Sequence, residues 1–359
     1  MVGQISEIRA INQQLSDPVF KSAKEVAGWM GAMQAQDYSM AKWAFGIRLP
    51  EVTENTINKE IDSGNLIRMH LLRPTWHFVS SDDVHWMLKL SASHIKSSLK
   101  FRDKQLGLSD TILRKCNSAI EKVLGNGRHL TREVLFSELE GSKLNVSSEQ
   151  TSHIFAHAEM EGIICSGRQV AGKPTYTLLG EWVKEDKMKL TRDEALKELA
   201  LRYFRSHGPA TIQDFAWWSG ISLNEARLAV EFNKSFLISE TVENKTWWFS
   251  DSLNTTNRRL TEAYLLPAYD EFIISYSDRS MLLPQNNQKK AISGNGIFYP
   301  AILVNGIITG TWKRLIKKEK VIISMKFFKA ETDLPATIFA KAIGKYSQFL
   351  DKETELDWH

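Results

Sequence analysis

The sequence predicts an α+β chain, mainly α, in which a unit of three helices and a hairpin recurs before a β-rich C-terminal segment. Two observations carry this. Helix-capping signals recur along the chain, and two successive stretches run through the same order of helix and strand patterns. The 43% hydrophobic and 25% charged content, with 11 tryptophans and 17 phenylalanines, supplies enough apolar surface for packed cores.

The capping signals are Ser22/Glu25, Ser147/Gln150, Thr191/Glu194 and Ser222/Glu225. In each, a hydroxyl can cap a free helix N–H while the acid or amide three residues on reaches back. Apolar residues at helical spacing follow each one.

The N-terminal part reads as helices over Ile5–Leu15, over Ala23–Met33 and after Thr53. Strand patterns follow at Leu66–Leu72 and Thr75–Val79, and Asp37–Pro50 stands as an extra segment. A clearer unit begins with a helix over Ile112–Leu124, broken by Gly125-Asn126-Gly127. Thr131 then caps a short helix, Ser147 opens a third, and Ile163–Ser166 and Thr175–Leu178 read as a hairpin. The next unit repeats the order: a helix over Asp193–Arg205, a second capped by Thr211, a third opened by Ser222. Its hairpin strands are Phe236–Ser239 and Thr246–Phe249. Helix–helix–helix–strand–wing–strand is the winged-helix order. The expected division is 1–110, 111–188, 189–260 and a β-rich 261–359.

Several classes are disfavoured. No window approaches the ~18 uncharged apolar residues of a membrane helix. The start Met1–Glu7 lacks a basic and then apolar leader, so a cytoplasmic protein is expected. Cys116 and Cys165 are far apart and neither lies in a CxxC pair. His153 and His157 have a zinc-compatible spacing but no evident third ligand, so they read as ordinary helix residues. The expectation is a monomer without metal or cofactor.

Net charge is +4, which permits a polyanionic partner. Within 311–330 the basic residues Lys313, Arg314, Lys317, Lys318, Lys320, Lys326 and Lys329 face one acid, Glu319. By contrast, the third helices of the two clear units are poor in basic residues, the later one offering only Arg227. Reading of base edges by those helices is therefore not expected, and DNA would bind along a surface shared by the units.

Gln34-Ala35-Gln36-Asp37 follows the second helix. In an extended chain, residues two apart point the same way, so Gln34 and Gln36 would offer two amides to one spot. A pair of amides can hold a water or a sugar-phosphate group but cannot act as a strong base. Two exposed polar residues at a helix end would look the same.

Gly31–Tyr38, with Trp43-Ala44 and Arg48, resembles the winged-helix DNA glycosylases of the AlkZ-like family. So do Leu72–Phe78, Leu265–Phe272 and Gly310–Arg314, in the family's order and over nearly the whole chain. The resemblance implies tandem winged helices around a DNA channel and hydrolysis of the N-glycosidic bond of N7-alkylated purines, interstrand crosslinks included in some members. It carries the catalytic pair onto Gln34 and Gln36, with glutamine where related crosslink-repair enzymes have a carboxylate. N7-alkylation puts positive charge on the purine, so the base departs without a strong acid. What remains is to place a water near C1′ and stabilise the sugar cation.

Arg48, Arg68, His70, Arg73, Thr75, His77, Lys313 and Arg314 are the candidate DNA contacts. Asp37 could take up a proton or simply turn the chain. Asp270 reads as a buried acid paired with Arg279, and either Asp270 or Glu271 could order the channel. Two rival readings keep the architecture without the enzyme: a non-enzymatic DNA-binding regulator and a docking scaffold for proteins.

Overall fold

All four expected capping boxes form. Ser22, Ser147, Thr191 and Ser222 each cap a helix through its third amide, and Glu25, Gln150, Glu194 and Glu225 reach back. The computed structural model describes residues 5–141, 144, 146–184, 188–242, 244–250, 262–329 and 337–358, so the 260/261 boundary lies outside the described residues.

Three segments share one element order: helix, short strand, helix, helix, strand, strand. The first has helices Ala23–Met30, Tyr38–Gly46 and Glu54–Asp62 with strands Met33–Gln34, Leu66–His70 and Trp76–Ser80. The second has helices Asp110–Leu124, Arg132–Gly141 and Ser148–Met160 with strands Leu130–Thr131, Ile164–Val170 and Lys173–Leu178. In both sheets the last strand lies between the other two. The third has helices Arg192–Ser206, Ile212–Ser219 and Leu223–Glu231 and the hairpin Leu237–Val242/Lys245–Ser250. Its short strand shrinks to an isolated bridge between Ala210 and Trp248, which again sits on the last strand.

Two expectations about the first segment need correction. Its opening helix stops at Met30, because Gly31 takes a left-handed φ of 80°. Gln34 thereby enters a strand instead of following a helix end. Asp37–Pro50 is not an insertion either. Asp37 caps Tyr38–Gly46, which supplies the second helix of the unit, and Ile5–Asn12 lies outside the repeat.

The C-terminal segment forms a five-stranded sheet in the order Glu353–Trp358, Lys320–Phe327, Ile307–Ile316, Ala301–Val304, Ala263–Leu266. Its helix Thr337–Leu350 packs on Ala263–Leu266; no capping signal announces that helix in the sequence. The first, third and C-terminal segments share one continuous core. The second keeps a smaller core of its own, around Cys116, Ile120, Leu135, Ile154 and Phe155. The long helix Val84–Gln105 joins the two.

The C-terminal sheet is tied to the first segment by buried polar contacts. The indoles of Trp43 and Trp312 donate to the carbonyls of Leu265 and Leu266, each at 2.7 Å. Arg48 forms a two-pronged pair with Asp270, both contacts 2.8 Å and both side chains fully buried. This overturns two expectations. Arg48 cannot clamp a phosphate, because burial removes it from solvent and Asp270 already occupies its fork. Asp270 pairs with Arg48 and not with Arg279, whose Nε donates to the Ile273 carbonyl.

Removing one half of a buried pair leaves an uncompensated charge, at a cost of about 3–5 kcal/mol. Arg48→Ala and Asp270→Ala are each expected to lower unfolding stability by about that much in denaturant titrations. A loss under about 1 kcal/mol, the range of exposed pairs, would contradict the assignment.

Candidate active site

Strand Met33–Gln34 pairs antiparallel with Trp76–Ser80, with Gln34 opposite His77, and the Ala35 amide extends the ladder to the Trp76 carbonyl at 2.7 Å. The strand ends at Gln34, the fully buried Ala35 follows, and Gln36 lies in a bend just before the helix that Asp37 caps. The two amides differ in setting. Gln34 is 6% exposed, whereas Gln36 and Asp37 lie in the open.

Gln34 is held at both ends. Its side-chain oxygen accepts from Arg73 Nη2 at 2.7 Å, and its backbone amide donates to Glu271 Oε1 at 2.6 Å. Arg68 Nε donates to the Ala35 carbonyl at 3.0 Å, so guanidinium groups reach this short run on two sides. The Gln36 amide has no protein partner among the described residues. Asp37 Oδ1 accepts the Met40 amide at 3.0 Å, so the acid caps the next helix.

Glu271 is the anchor beneath Gln34 and is 1% exposed. Its second oxygen accepts from the Trp218 indole at 3.1 Å and from the Ser275 hydroxyl. Burial alone would raise this carboxyl, but His207, Ser275 and the Gln34 amide outweigh it and hold the group down at about 2. His207, 3.6 Å away, is itself pushed down by burial, so the fixed donors around the carboxylate are the firmer cause.

The loop between the paired strands brings more polar atoms to this place. Leu72 turns it with a φ of 60°, and His94 Nε2 donates to the Leu72 carbonyl. Arg73 Nε, Thr75 Oγ1, Trp76 Nε1 and His77 Nε2 are all buried without a protein partner. Four such atoms within five residues exceed what a folded chain ordinarily leaves unpaired, and they suit a ligand or ordered water. Arg73 and Arg279 both approach the ring of the half-exposed Trp217, at 5.8 and 5.2 Å. Burial lowers the pKa of each guanidinium, that of Arg279 to about 10 with Arg73 contributing.

The other candidates fall into place unevenly. His70, Arg73, Thr75 and His77 do not form one polar face. His70 packs on Trp76 at 4.6 Å and its Nδ1 meets Glu159 at 2.7 Å, which links the first segment to the second. His77 is fully buried, its Nδ1 on the Thr75 carbonyl, and burial drives its pKa down to about 3. A neutral, enclosed imidazole offers no charge to a phosphate, which corrects that expectation. Arg68 lies over the Trp76 ring at 4.3 Å. Lys313 is exposed, but Arg314 shares the inward face of its strand with the buried Trp312. It bonds Ser39 Oγ at 2.9 Å and Tyr346 at 3.0 Å, so it docks the basic hairpin beside Asp37 instead of reaching outward. His153 and His157 both hold Asp103, at 2.8 Å each.

Sequence reasoning named Glu271 only as one of two acids that could order a channel, and passed over Trp217 and Tyr269. The signal for Glu271 was an acid inside Leu265–Phe272, a run otherwise apolar enough to be buried. Tyr269 carries a φ of 58°, and burial together with the Asp37 charge raises its phenol. No metal-binding group of three or more His, Cys, Asp or Glu occurs among the described residues. No described helix is long and apolar enough to cross a membrane.

A carboxyl held below its ordinary 4.5 contributes stability that is present above that value and lost as pH falls toward about 2. Glu271→Gln should be less stable at neutral pH and should lose less on acidification between those values, read by thermal melting across pH. Parallel wild-type and variant profiles would remove the ionised carboxylate from beneath Gln34.

Residues 27–349 match the family model described as DNA glycosylase AlkZ-like. A curated relative, an interstrand DNA cross-link repair glycosylase of Streptomyces sahachiroi, is 23% identical over 345 residues, covering 89% of each chain. The solved structure of the S. sahachiroi DNA glycosylase AlkZ superposes with a TM-score of 0.80 at 20% identity, covering 99% of this chain and 98% of that one.

Proposed function

The chain belongs to the AlkZ-like DNA glycosylase family, and from that premise we propose that it hydrolyses the N-glycosidic bond of N7-alkylated purines in duplex DNA. The cross-link activity in the relative's name extends the proposal to interstrand crosslinks. On this reading the three repeated segments are tandem winged helices, the four parts of the chain form a clamp around the duplex, and the protein acts as a monomer in the cytoplasm.

The observation that carries the proposal is the asymmetry of the two glutamines. Gln34 is fixed by Arg73 and Glu271, and Gln36, two residues on, keeps an exposed amide without a protein partner among the described residues. Gln36 positions the attacking water, and Gln34 forms the rigid floor from which it projects. No strong base is required, because the cationic leaving group departs readily and the water attacks a sugar already carrying positive charge. The ionised Glu271 below, with the substrate's own phosphates, favours that charge. Asp37 is the nearest open carboxylate and receives the proton the water releases.

Arg73 and Arg279 beside Trp217, with Arg68 and Lys313, supply the contacts to the DNA backbone. Thr75, at the turn of the loop, adds a hydroxyl among the unpartnered atoms next to Gln34.

The test is release of N7-methylguanine from duplex DNA. Gln36→Ala is expected to slow single-turnover release by about a hundredfold, the size of effect seen when one fixed polar contact to a transition state is removed. Duplex affinity should stay close to wild type. Undiminished release by Gln36→Ala would remove the water-holding role, and no release by the wild-type chain would remove the proposed substrate.

A further inference from the structure

A groove of about 1430 Å³ lies away from the glutamine pair, between helix Val84–Gln105 and the N-terminal turns of Asp110–Leu124. Nothing in the chemistry above uses it. Lys89, Lys96, Lys100 and Lys104 line one wall and Arg114 and Asn117 the other.

The lysine spacing is helical. Steps of seven, four and four residues return to one face of an α-helix, so the four ammonium groups form a single row. From Lys89 to Lys104 the helix rises about 22 Å at 1.5 Å per residue. Lys96 is paired with Glu161 at 2.9 Å, but Lys89, Lys100 and Lys104 are exposed and have no ion-pair partner among the described residues. The one buried acid in the groove, Asp103, is occupied by His153 and His157. On the facing wall, the side-chain oxygen of Asn117 is buried without a partner.

An unpaired row of like charge is costly to hold together and gains only when a polyanion lies along it. A duplex advances 3.4 Å per base pair, so the row spans roughly six steps of one strand. The helix that carries the row is bonded, by another of its faces, to the loop of the candidate active site. His94, on the same helix, donates to the Leu72 carbonyl of the loop that carries Arg73.

We propose that this groove is a second DNA-binding site, which grips the phosphate backbone of duplex flanking the lesion through Lys89, Lys100 and Lys104. The proposal rests on the DNA reading above but not on the identity of the lesion. The groove contributes to affinity and leaves the chemical step alone, since none of its residues touches Gln34 or Gln36.

The test compares the wild-type chain with the Lys89→Ser/Lys100→Ser/Lys104→Ser variant. Binding is titrated over a range of salt on duplexes of about 10 and about 30 base pairs centred on the lesion, that is, about one and three helical turns. On the long duplex the slope of log affinity against log salt should become shallower by about 2.7, or 0.9 per lost phosphate contact. On the short duplex the two proteins should agree, and the saturating rate of base release should be the same on both. An unchanged slope on the long duplex, with an unchanged melting temperature, overturns the proposal. Equal losses on both duplexes overturn it too, because a general charge effect would then suffice. Retained DNA binding with lost affinity for an acidic peptide would assign the groove to a protein partner instead. Absence of base release by the wild type would count against the proposed reaction alone, since the salt slopes are read without catalysis.

Discussion

The structure turns on two adjacent acids that enter the first segment from the C-terminal one. Asp270 takes the fork of Arg48, and Glu271 takes the backbone amide of Gln34. Both carboxylates are about 1% exposed, so each is costly to bury and is tolerated only because it is fully bonded. Such a joint permits one docking of the C-terminal sheet. A shift of a residue would strand two charges in the core, and apolar packing alone would not impose that penalty. Asp270 also caps its own short helix by accepting the Phe272 amide at 2.8 Å, so the turn presenting Glu271 is fixed locally as well.

That joint explains how Gln34 is placed accurately on a strand of only two residues. Gln34 is held by one segment through Arg73 and by another through Glu271, while Trp218 of a third reaches the same carboxylate. Under the proposed function, a floor built from three directions loses little by reorganising when substrate arrives, and electrostatic catalysis depends on that. Arg73, Thr75, Trp76 and His77, on the loop and strand next to Gln34's own strand, each keep a buried atom without a protein partner. Buried polar groups left without a protein partner call for an ordered water or a ligand.

The repeated segments serve different ends despite their shared order. In the first, the short strand carries the glutamine. In the second, that strand is Leu130–Thr131 and the segment keeps its own core. In the third, a bridge at Ala210 is all that remains of it, and the segment contributes Trp217 and Trp218 to the site. Their third helices have few basic side chains to offer a groove. Arg227, the one expected there, bonds Asn224 within its own helix. Basic charge is instead set on the loop at Arg73, the row along Val84–Gln105 and the hairpin near Lys313. This distribution suits holding a backbone more than reading bases.

What the sequence determined by itself was local. Capping boxes need only four consecutive residues, so all four were legible, and with them the order of helices in the second and third segments. The arginine two residues after Trp312 could have been read as facing inward by strand alternation, whereas no such rule applies at Gln36, which falls in a bend past the end of its strand. What only the tertiary structure decided was which polar group meets which across long separations. Arg48 and Asp270 lie 222 residues apart, and Gln34 and Glu271 lie 237 apart. No spacing rule links such positions, because their approach is set by how the sheets dock. Burial is likewise a property of the assembled chain. An arginine, a histidine and a glutamine look equally available in the sequence, and packing alone made Arg48 a strut, His77 a neutral ring and Gln36 the open amide.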